Sequence, residues 1–221
     1  MYNILFMSEL DKIDKYLDDY SETEQTYYQR TKAWRDKLFY PLALLFKKIG
    51  ASADIVSYLG VLVLAGFLLY ATSNPRLAVL FLLLNLLMDG IDGAIARVNN
   101  SESAQGALVD TLCDLLSIFI VIFTLGFVGL LNPNIGIVYI FFFSLMIFFI
   151  ISRQLLDIPV RFVVRSKAFV YVLYIWWAFT GQNYFDWAVF IFTVLIFLVC
   201  VASFIKIKNR LKGKKIKLKD F

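Results

Sequence analysis

The chain has 221 residues, of which 60% are hydrophobic and 17% aromatic, with a net charge of +5 and a mean hydropathy of +0.73. Soluble domains are only about half apolar, so this composition argues against a soluble protein and favours a helical membrane protein. Histidine is absent and the two cysteines, Cys113 and Cys200, are far apart, which argues against a zinc site and a disulfide framework. A bound metal would therefore need oxygen ligands, which suit Mg²⁺, Mn²⁺ or Ca²⁺.

The first fifty residues contain no apolar span. Residues 1–6 lack the basic start of a secretory signal, and acidic residues follow at once. Residues 27–49 mix aromatic with basic side chains, which predicts either an amphipathic helix on the cytoplasmic membrane face or a solvated helix without lipid contact. We divide the chain into a juxtamembrane segment 1–50, a membrane domain 51–206 and a basic tail 207–221.

Apolar stretches long enough to cross a bilayer then recur along the chain, since about 20 helical residues span the hydrocarbon core. They cover residues 53–72, 77–97, 104–131, 135–153, 166–181 and 185–205. Pro75 and Pro133 fall in two of the short connections, beside asparagines typical of turns. The sequence predicts an all-α, polytopic protein with six transmembrane helices and an N-terminal cytoplasmic amphipathic helix.

The basic residues predict the orientation, because translocation disfavours loops rich in Lys and Arg. Of the 22 basic residues, eight precede the first span, eight follow the last, and five lie in the 97–104 and 153–167 connections. The three opposite connections contain only Arg76. We therefore expect a multi-pass integral membrane protein with both termini in the cytoplasm.

Four aspartates lie in the second and third spans at helical spacing. Asp89 and Asp92 are three residues apart and Asp110 and Asp114 are four apart, so each pair shares a helix face. Twelve uncharged residues precede Asp89 in its span and seventeen follow Asp114, about 18 Å and 25 Å of helix. Both pairs are thus predicted to converge in the cytoplasmic half of the membrane.

Such a cluster is unfavourable in a membrane, since one aspartate near a helix centre disfavours insertion by about 2.5 to 3.5 kcal/mol. One or two divalent cations bound by carboxylate oxygens would offset this penalty. Alternatively, the aspartates merely pair with Arg97, Arg153 or lipid-facing lysines, although one arginine could neutralise only one of the four.

The run from Asp89 to Asp114 resembles the signature of the CDP-alcohol phosphatidyltransferases. It reads Asp-x2-Asp-Gly-x2-Ala-Arg-x8-Gly-x3-Asp-x3-Asp and matches that signature at every defined position. The resemblance covers roughly residues 48–206 and extends to the six-span plan and the N-terminal helix. It implies a polytopic inner-membrane enzyme of phospholipid synthesis that forms a homodimer, and we expect no nucleic-acid partner.

The resemblance also implies roles for the residues of the signature. Asp89, Asp92 and Asp110 would be ligands of Mg²⁺ or Mn²⁺, two ions in all, and Asp114 would be the general base and a further ligand. The residues that would line the CDP site are Gly93, Ala96, Arg97 and Gly106.

The start of the first span departs from the family, because residues 52–57 lack the Pro and Thr that relatives often have there. Asp54 and Ser57 either cap this helix and contact the cytidine, or only cap it.

A basic cluster borders the same predicted cavity. It consists of Arg153, Arg161, Arg165 and Lys167. Three arginines could bind the phosphate of an acceptor such as glycerol 3-phosphate or inositol 1-phosphate. Equally, the cluster could reflect only the positive-inside bias.

We therefore predict the metal-dependent transfer of a phosphatidyl group from CDP-diacylglycerol to a small polar alcohol, with release of CMP and the active site on the cytoplasmic side. Two alternatives stay open: transfer of a CDP-linked head group to diacylglycerol, and, from another class, transport of divalent cations through buried aspartates.

Overall fold

The computed structural model describes residues 39–99, 101, 103–156, 158 and 166–212, and these residues contain helices and short connections but no strand. A helical segment at residues 39–49 precedes six longer helices. These are α1 (Ala53–Tyr70), α2 (Pro75–Val98), α3 (Ala104–Phe127), α4 (Pro133–Leu155), α5 (Ser166–Thr180) and α6 (Phe185–Lys212). The predicted all-α class is confirmed. Arg161, Arg165, the 27–38 part of the predicted amphipathic helix and residues 213–221 lie outside the described residues.

Two prolines begin helices and do not lie in the connections, which corrects their predicted place. Pro75 is in the first turn of α2, where the side chain of Asn74 accepts a hydrogen bond from the Leu77 N–H, and Pro133 begins α4. A proline suits the first helical position because its fixed φ fits the helix and no N–H partner is needed there.

The cap of α1 was also predicted wrongly. The Ser52 side chain accepts a hydrogen bond from the Ile55 N–H, so Ser52 is the N-cap, and Asp54 and Ser57 lie within the helix. At the far end of α3, the helix stops at Phe127, four residues before the predicted end at 131. Gly129 adopts a left-handed φ of 76° just beyond this end, a conformation that glycine adopts readily.

Five of the described helices are long and apolar enough to cross a membrane: α1, α2, α3, α4 and α6. The described part of α5 has 15 residues, about 22 Å of helix, which is short for a hydrocarbon core of about 30 Å. The structure therefore supports a polytopic membrane protein, and the count of six spans stays a prediction.

Three connections meet at one end of the bundle, which we call the distal end: residues 71–74, 128–132 and 181–184. The Arg76 guanidinium lies 5.7 Å from the centre of the Phe179 ring. The N–H of Asn132 donates to the Asp186 carboxylate at 2.7 Å, which joins the start of α4 to that of α6. Successive helices therefore run in opposite directions between the distal end and the other, proximal end.

At the proximal end, the 39–49 segment packs on α1 and α2. Ala43 is fully buried in a small apolar cluster with Val56 and Ile91, and the Lys47 ammonium donates to the Val98 carbonyl at 3.0 Å. The Phe39 ring covers Gly90, where a Cβ atom would lie 2.6 Å from the ring. One face of this segment thus contacts protein, directly beside Asp89.

The apolar core fills the distal part of the bundle and is contributed by all six helices. Along α2, buried residues are apolar at Ala78 and Leu82, polar at Asn85 and Asp92, and apolar again at Ala94 and Ile95. A polar layer that contains Asp92 therefore lies between the distal core and the proximal apolar cluster.

Candidate active site

The predicted convergence of α2 and α3 brings three carboxylates together. Asp89, Asp110 and Asp114 each present an oxygen, and these oxygens lie within 4.8 Å of one another. The Ser103 side chain caps α3 by accepting from the Gly106 N–H at 3.1 Å. Hard carboxylate oxygens at this separation could bind a divalent cation between them.

Asp92 has different surroundings from these three. It is only 5% exposed, whereas Asp110 is exposed. One of its carboxylate oxygens accepts from the Ser57 hydroxyl and the other from the Gly93 N–H. Asp92 therefore lies outside the three-carboxylate group, and its predicted role as a metal ligand stays a prediction.

Lys167 bridges two of the carboxylates. Its ammonium group lies 3.1 Å from Asp89 Oδ1 and 2.5 Å from Asp114 Oδ1. The sequence placed Lys167 in a basic cluster for the acceptor, whereas the structure puts it on the aspartates themselves. One lysine thus pairs with two carboxylates, and at 12% exposure it is not one of the lipid-facing lysines of the alternative.

The small residues of the signature leave room along the backbone next to the carboxylates. A Cβ atom at Gly93 would meet the Arg97 guanidinium at 3.3 Å, so this arginine lies along the α2 backbone. At Gly106 it would lie 3.9 Å from Asp54 Oδ1, which brings the start of α1 next to the start of α3. Ala96 is half-buried on the same helix as Arg97.

Comparison with known proteins identifies the family. A sequence profile of the CDP-alcohol phosphatidyltransferases matches residues 51–204. The chain belongs to this family.

The similar proteins differ in how much of this chain they match and in their sequence identity to it. An uncharacterized protein of Aquifex aeolicus is 37% identical over 91 residues, which are 40% of this chain and 46% of that protein, less than half its length. The phosphatidylinositol phosphate synthase of Mycobacterium tuberculosis with CDP-DAG bound is 21% identical, with a TM-score of 0.55 over 80% of this chain and 92% of that one. The same synthase in complex with manganese and citrate is 20% identical, with a TM-score of 0.53 over 78% of this chain and 86% of that one. These solved structures show that the fold is shared.

In this phosphatidyltransferase fold, a polar network that was not predicted from the sequence surrounds Asn85, one helical turn before Asp89 on α2. The Asn85 amide donates to the Gly60 carbonyl at 2.8 Å and to the Ser117 hydroxyl at 3.2 Å, and its oxygen accepts from the Tyr171 hydroxyl at 2.7 Å. Asn85 is 2% exposed. An asparagine four residues before Asp89, in an otherwise apolar run, was the available signal.

Part of this network and two of the aspartates border one small cavity. Its lining includes Ser57, Asn85, Asp89, Asp92, Cys113 and Lys167. The cavity thus continues from the carboxylates into the bundle between α1, α2, α3 and α5.

The remaining predicted acceptor residue, Arg153, is 4% exposed and donates to the Ser203 hydroxyl at 3.3 Å. It therefore links α4 to α6 in the described structure. Arg161 and Arg165 lie outside the described residues, so the acceptor cluster as a whole stays a prediction.

Proposed function

We propose that the protein transfers a phosphatidyl group from CDP-diacylglycerol to a small polar alcohol and releases CMP. The observation that carries the proposal is the approach of Asp89, Asp110 and Asp114 to within 4.8 Å in the part of the chain that matches the family. The relative with CDP-DAG bound shares the fold and supports this choice of donor.

The three carboxylates fit Mg²⁺ or Mn²⁺, because both ions prefer oxygen ligands and the side chains of Asp89 and Asp114 are 35% and 40% exposed. Asp92 is the fourth proposed ligand, and two ions in all are proposed. When bound, divalent ions neutralise the charge that develops on a pyrophosphate during phosphoryl transfer.

Asp114 is the proposed general base, because the resemblance to the family implies this role and its side chain, 40% exposed, is open to an acceptor. It accepts the proton of the acceptor hydroxyl while that oxygen forms a bond to the lipid-bearing phosphorus. The bond from this phosphorus to the CMP oxygen breaks, and CMP leaves with the electron pair.

The proposed CDP site lies along Gly93, Ala96, Arg97 and Gly106, with Asp54 beside Gly106. Arg97 pairs with a phosphate of the donor, as a planar guanidinium can. Ser57 contributes through Asp92, to which its hydroxyl donates, and not through a helix cap.

The acceptor is proposed to carry a phosphate, as glycerol 3-phosphate and inositol 1-phosphate do, and to be bound by Lys167 with Arg153, Arg161 and Arg165. The in-family alternative moves a CDP-linked head group to diacylglycerol, and the same carboxylates would serve it. The protein is further proposed to span the membrane six times as a homodimer, with both termini and the active site facing the cytoplasm.

The decisive experiment measures CMP release by the purified protein with Mg²⁺ or Mn²⁺. We expect release from CDP-diacylglycerol with at least one alcohol of a mixed panel, and mass spectrometry of the lipid product names the acceptor. The Asp114→Asn variant is expected to lose about 100-fold or more of the rate, the usual contribution of a general base.

The matched control is Asp186→Asn, which changes a carboxylate at the distal end, where Asp186 bonds the Asn132 N–H. It should keep the wild-type rate. Release of CMP only from CDP-linked head groups with diacylglycerol would select the in-family alternative, and no release from either donor would refute the proposal.

A further inference from the structure

Lys167 lies between two carboxylates whose negative charges repel each other. Its ammonium contacts Oδ1 of both Asp89 and Asp114, and its side chain is only 12% exposed. Four aspartates carry a formal charge of −4 in this layer, so the lysine removes part of the repulsion that would otherwise push them apart. It is therefore part of the cluster, although it comes from a helix 53 residues further along the chain than Asp114.

Several contacts of α5 fix this lysine in place. One turn after Lys167, the Tyr171 hydroxyl donates to Asn85, which is itself one turn before Asp89 on α2. The preceding residue, Ser166, is fully buried and its hydroxyl bonds that of Tyr139 at 2.5 Å. Two parallel contacts thus join α5 to α2, Lys167 to Asp89 and Tyr171 to Asn85.

An ammonium in this position and a divalent ion between the same two oxygens exclude each other. Mg²⁺ and Ca²⁺ lie about 2.0 to 2.6 Å from their oxygen ligands. The Lys167 nitrogen is already 3.1 Å and 2.5 Å from the two oxygens, so it occupies the space that such an ion would need. Two cations at that separation would also repel each other strongly.

We propose that Lys167 is an internal cation that competes with a divalent ion for Asp89 and Asp114. The divalent ion binds by displacing the ammonium group from these two carboxylates. The flexible four-carbon stem of lysine allows this movement, and the displaced ammonium is then available to an anionic oxygen of the substrate. The proposal rests on the metal dependence of the proposed function.

Mn²⁺ binding tests the competition without any lipid substrate. Electron paramagnetic resonance of purified protein titrated with Mn²⁺ measures the affinity of the wild type, Lys167→Met and Lys206→Met. Lys206 is an exposed lysine near the proximal end of α6 and provides the matched loss of charge. We expect Lys167→Met to bind Mn²⁺ at least about tenfold more tightly, because a competing cation has been removed, and Lys206→Met to bind like the wild type.

Equal or weaker Mn²⁺ binding by Lys167→Met would overturn the proposal, and a merely structural lysine would give this result. If the wild type binds no Mn²⁺ at all, the metal site of the proposed function fails together with the inference. Binding by the wild type with CMP release absent would refute only the proposed transfer.

A second measurement uses the wild-type chain, in case Lys167→Met does not fold. Mass spectrometry follows acetylation of Lys167 by acetic anhydride, with Lys206 as the internal reference. Mn²⁺ is expected to raise the acetylation of Lys167 relative to Lys206, because displacement from the carboxylates frees the amine. An unchanged or lower ratio would overturn the proposal.

Discussion

At the scale of single residues, the site separates carboxylates that are open to ligand from one that is enclosed. Asp89 and Asp114 share a lysine, whereas Asp92 is buried and receives one donor on each oxygen, from Ser57 and from the Gly93 N–H. A buried carboxylate is very unfavourable without such donors. Ser57, in the second turn of α1, is therefore a positioning residue for Asp92.

The Ser57→Ala variant tests this role. It should lower the free energy of unfolding by about 1 to 3 kcal/mol, because one oxygen of a buried carboxylate loses its donor. Thermal unfolding in detergent measures the loss. Ser144→Ala is the control, since the Ser144 hydroxyl donates only to the Ile140 carbonyl of its own helix. Equal melting temperatures for the two variants would show that Ser57 does not support Asp92.

At the scale of helices, the close approach of α1 and α2 holds the polar layer together. A Cβ atom at Gly60 would lie 3.1 Å from the Met88 Cβ, and the Gly60 carbonyl accepts from the Asn85 amide. The Asn85 amide also reaches Ser117 on α3, and its oxygen binds Tyr171 on α5. Gly60 thus sets the distance between α1 and α2, and the other contacts of Asn85 depend on that distance.

Replacing Gly60 by leucine should force α1 away from α2 and break the Asn85 contact. Overpacking of this kind costs about 1 to 3 kcal/mol, so the melting temperature should fall even though leucine favours helix more than glycine does. Gly126→Leu is the matched control, because a Cβ atom there meets Pro133 only at an ordinary 3.7 Å. The idea is wrong if both variants melt alike.

The sequence could predict contacts between residues that are close along the chain, but not contacts between distant residues. Asp89, Asp110 and Asp114 were predictable as a group, because helical spacing and a short connection fix their relative positions. Lys167 on the carboxylates and Tyr171 on Asn85 were not, since 53 to 86 residues separate the partners and only the packing of α5 joins them. Ser57 was assigned to a cap because it lies near a helix start, and its partner on α2 is 35 residues away in sequence.

At the scale of the whole molecule, α5 decides the topology. Lys167 in its first turn lies level with the carboxylates, and Phe179 near its end contacts Arg76 at the distal end. Its 15 described residues therefore run from the depth of the carboxylates to the distal end. This supports a sixth crossing, and it agrees with the presence of only one basic residue, Arg76, in the connections predicted for this end.

Cysteine labelling tests the six crossings and their direction. In a background with Cys113→Ala and Cys200→Ala, single substitutions Thr72→Cys, Gln182→Cys and Ser101→Cys each introduce one thiol at an exposed position. We expect a membrane-impermeant maleimide to label the first two from outside intact cells, because residues 71–74 and 181–184 share the distal end. Ser101→Cys should react only after the membrane is opened, since it lies between α2 and α3 at the proximal end, where positive charge favours the cytoplasm.

Thr72→Cys is the control for Gln182→Cys, because its connection precedes α5 and does not depend on how α5 crosses. If Gln182→Cys reacts only after the membrane is opened, as Ser101→Cys is expected to do, the sixth span is contradicted. If Ser101→Cys is the one variant labelled from outside, the orientation is the reverse of the predicted one.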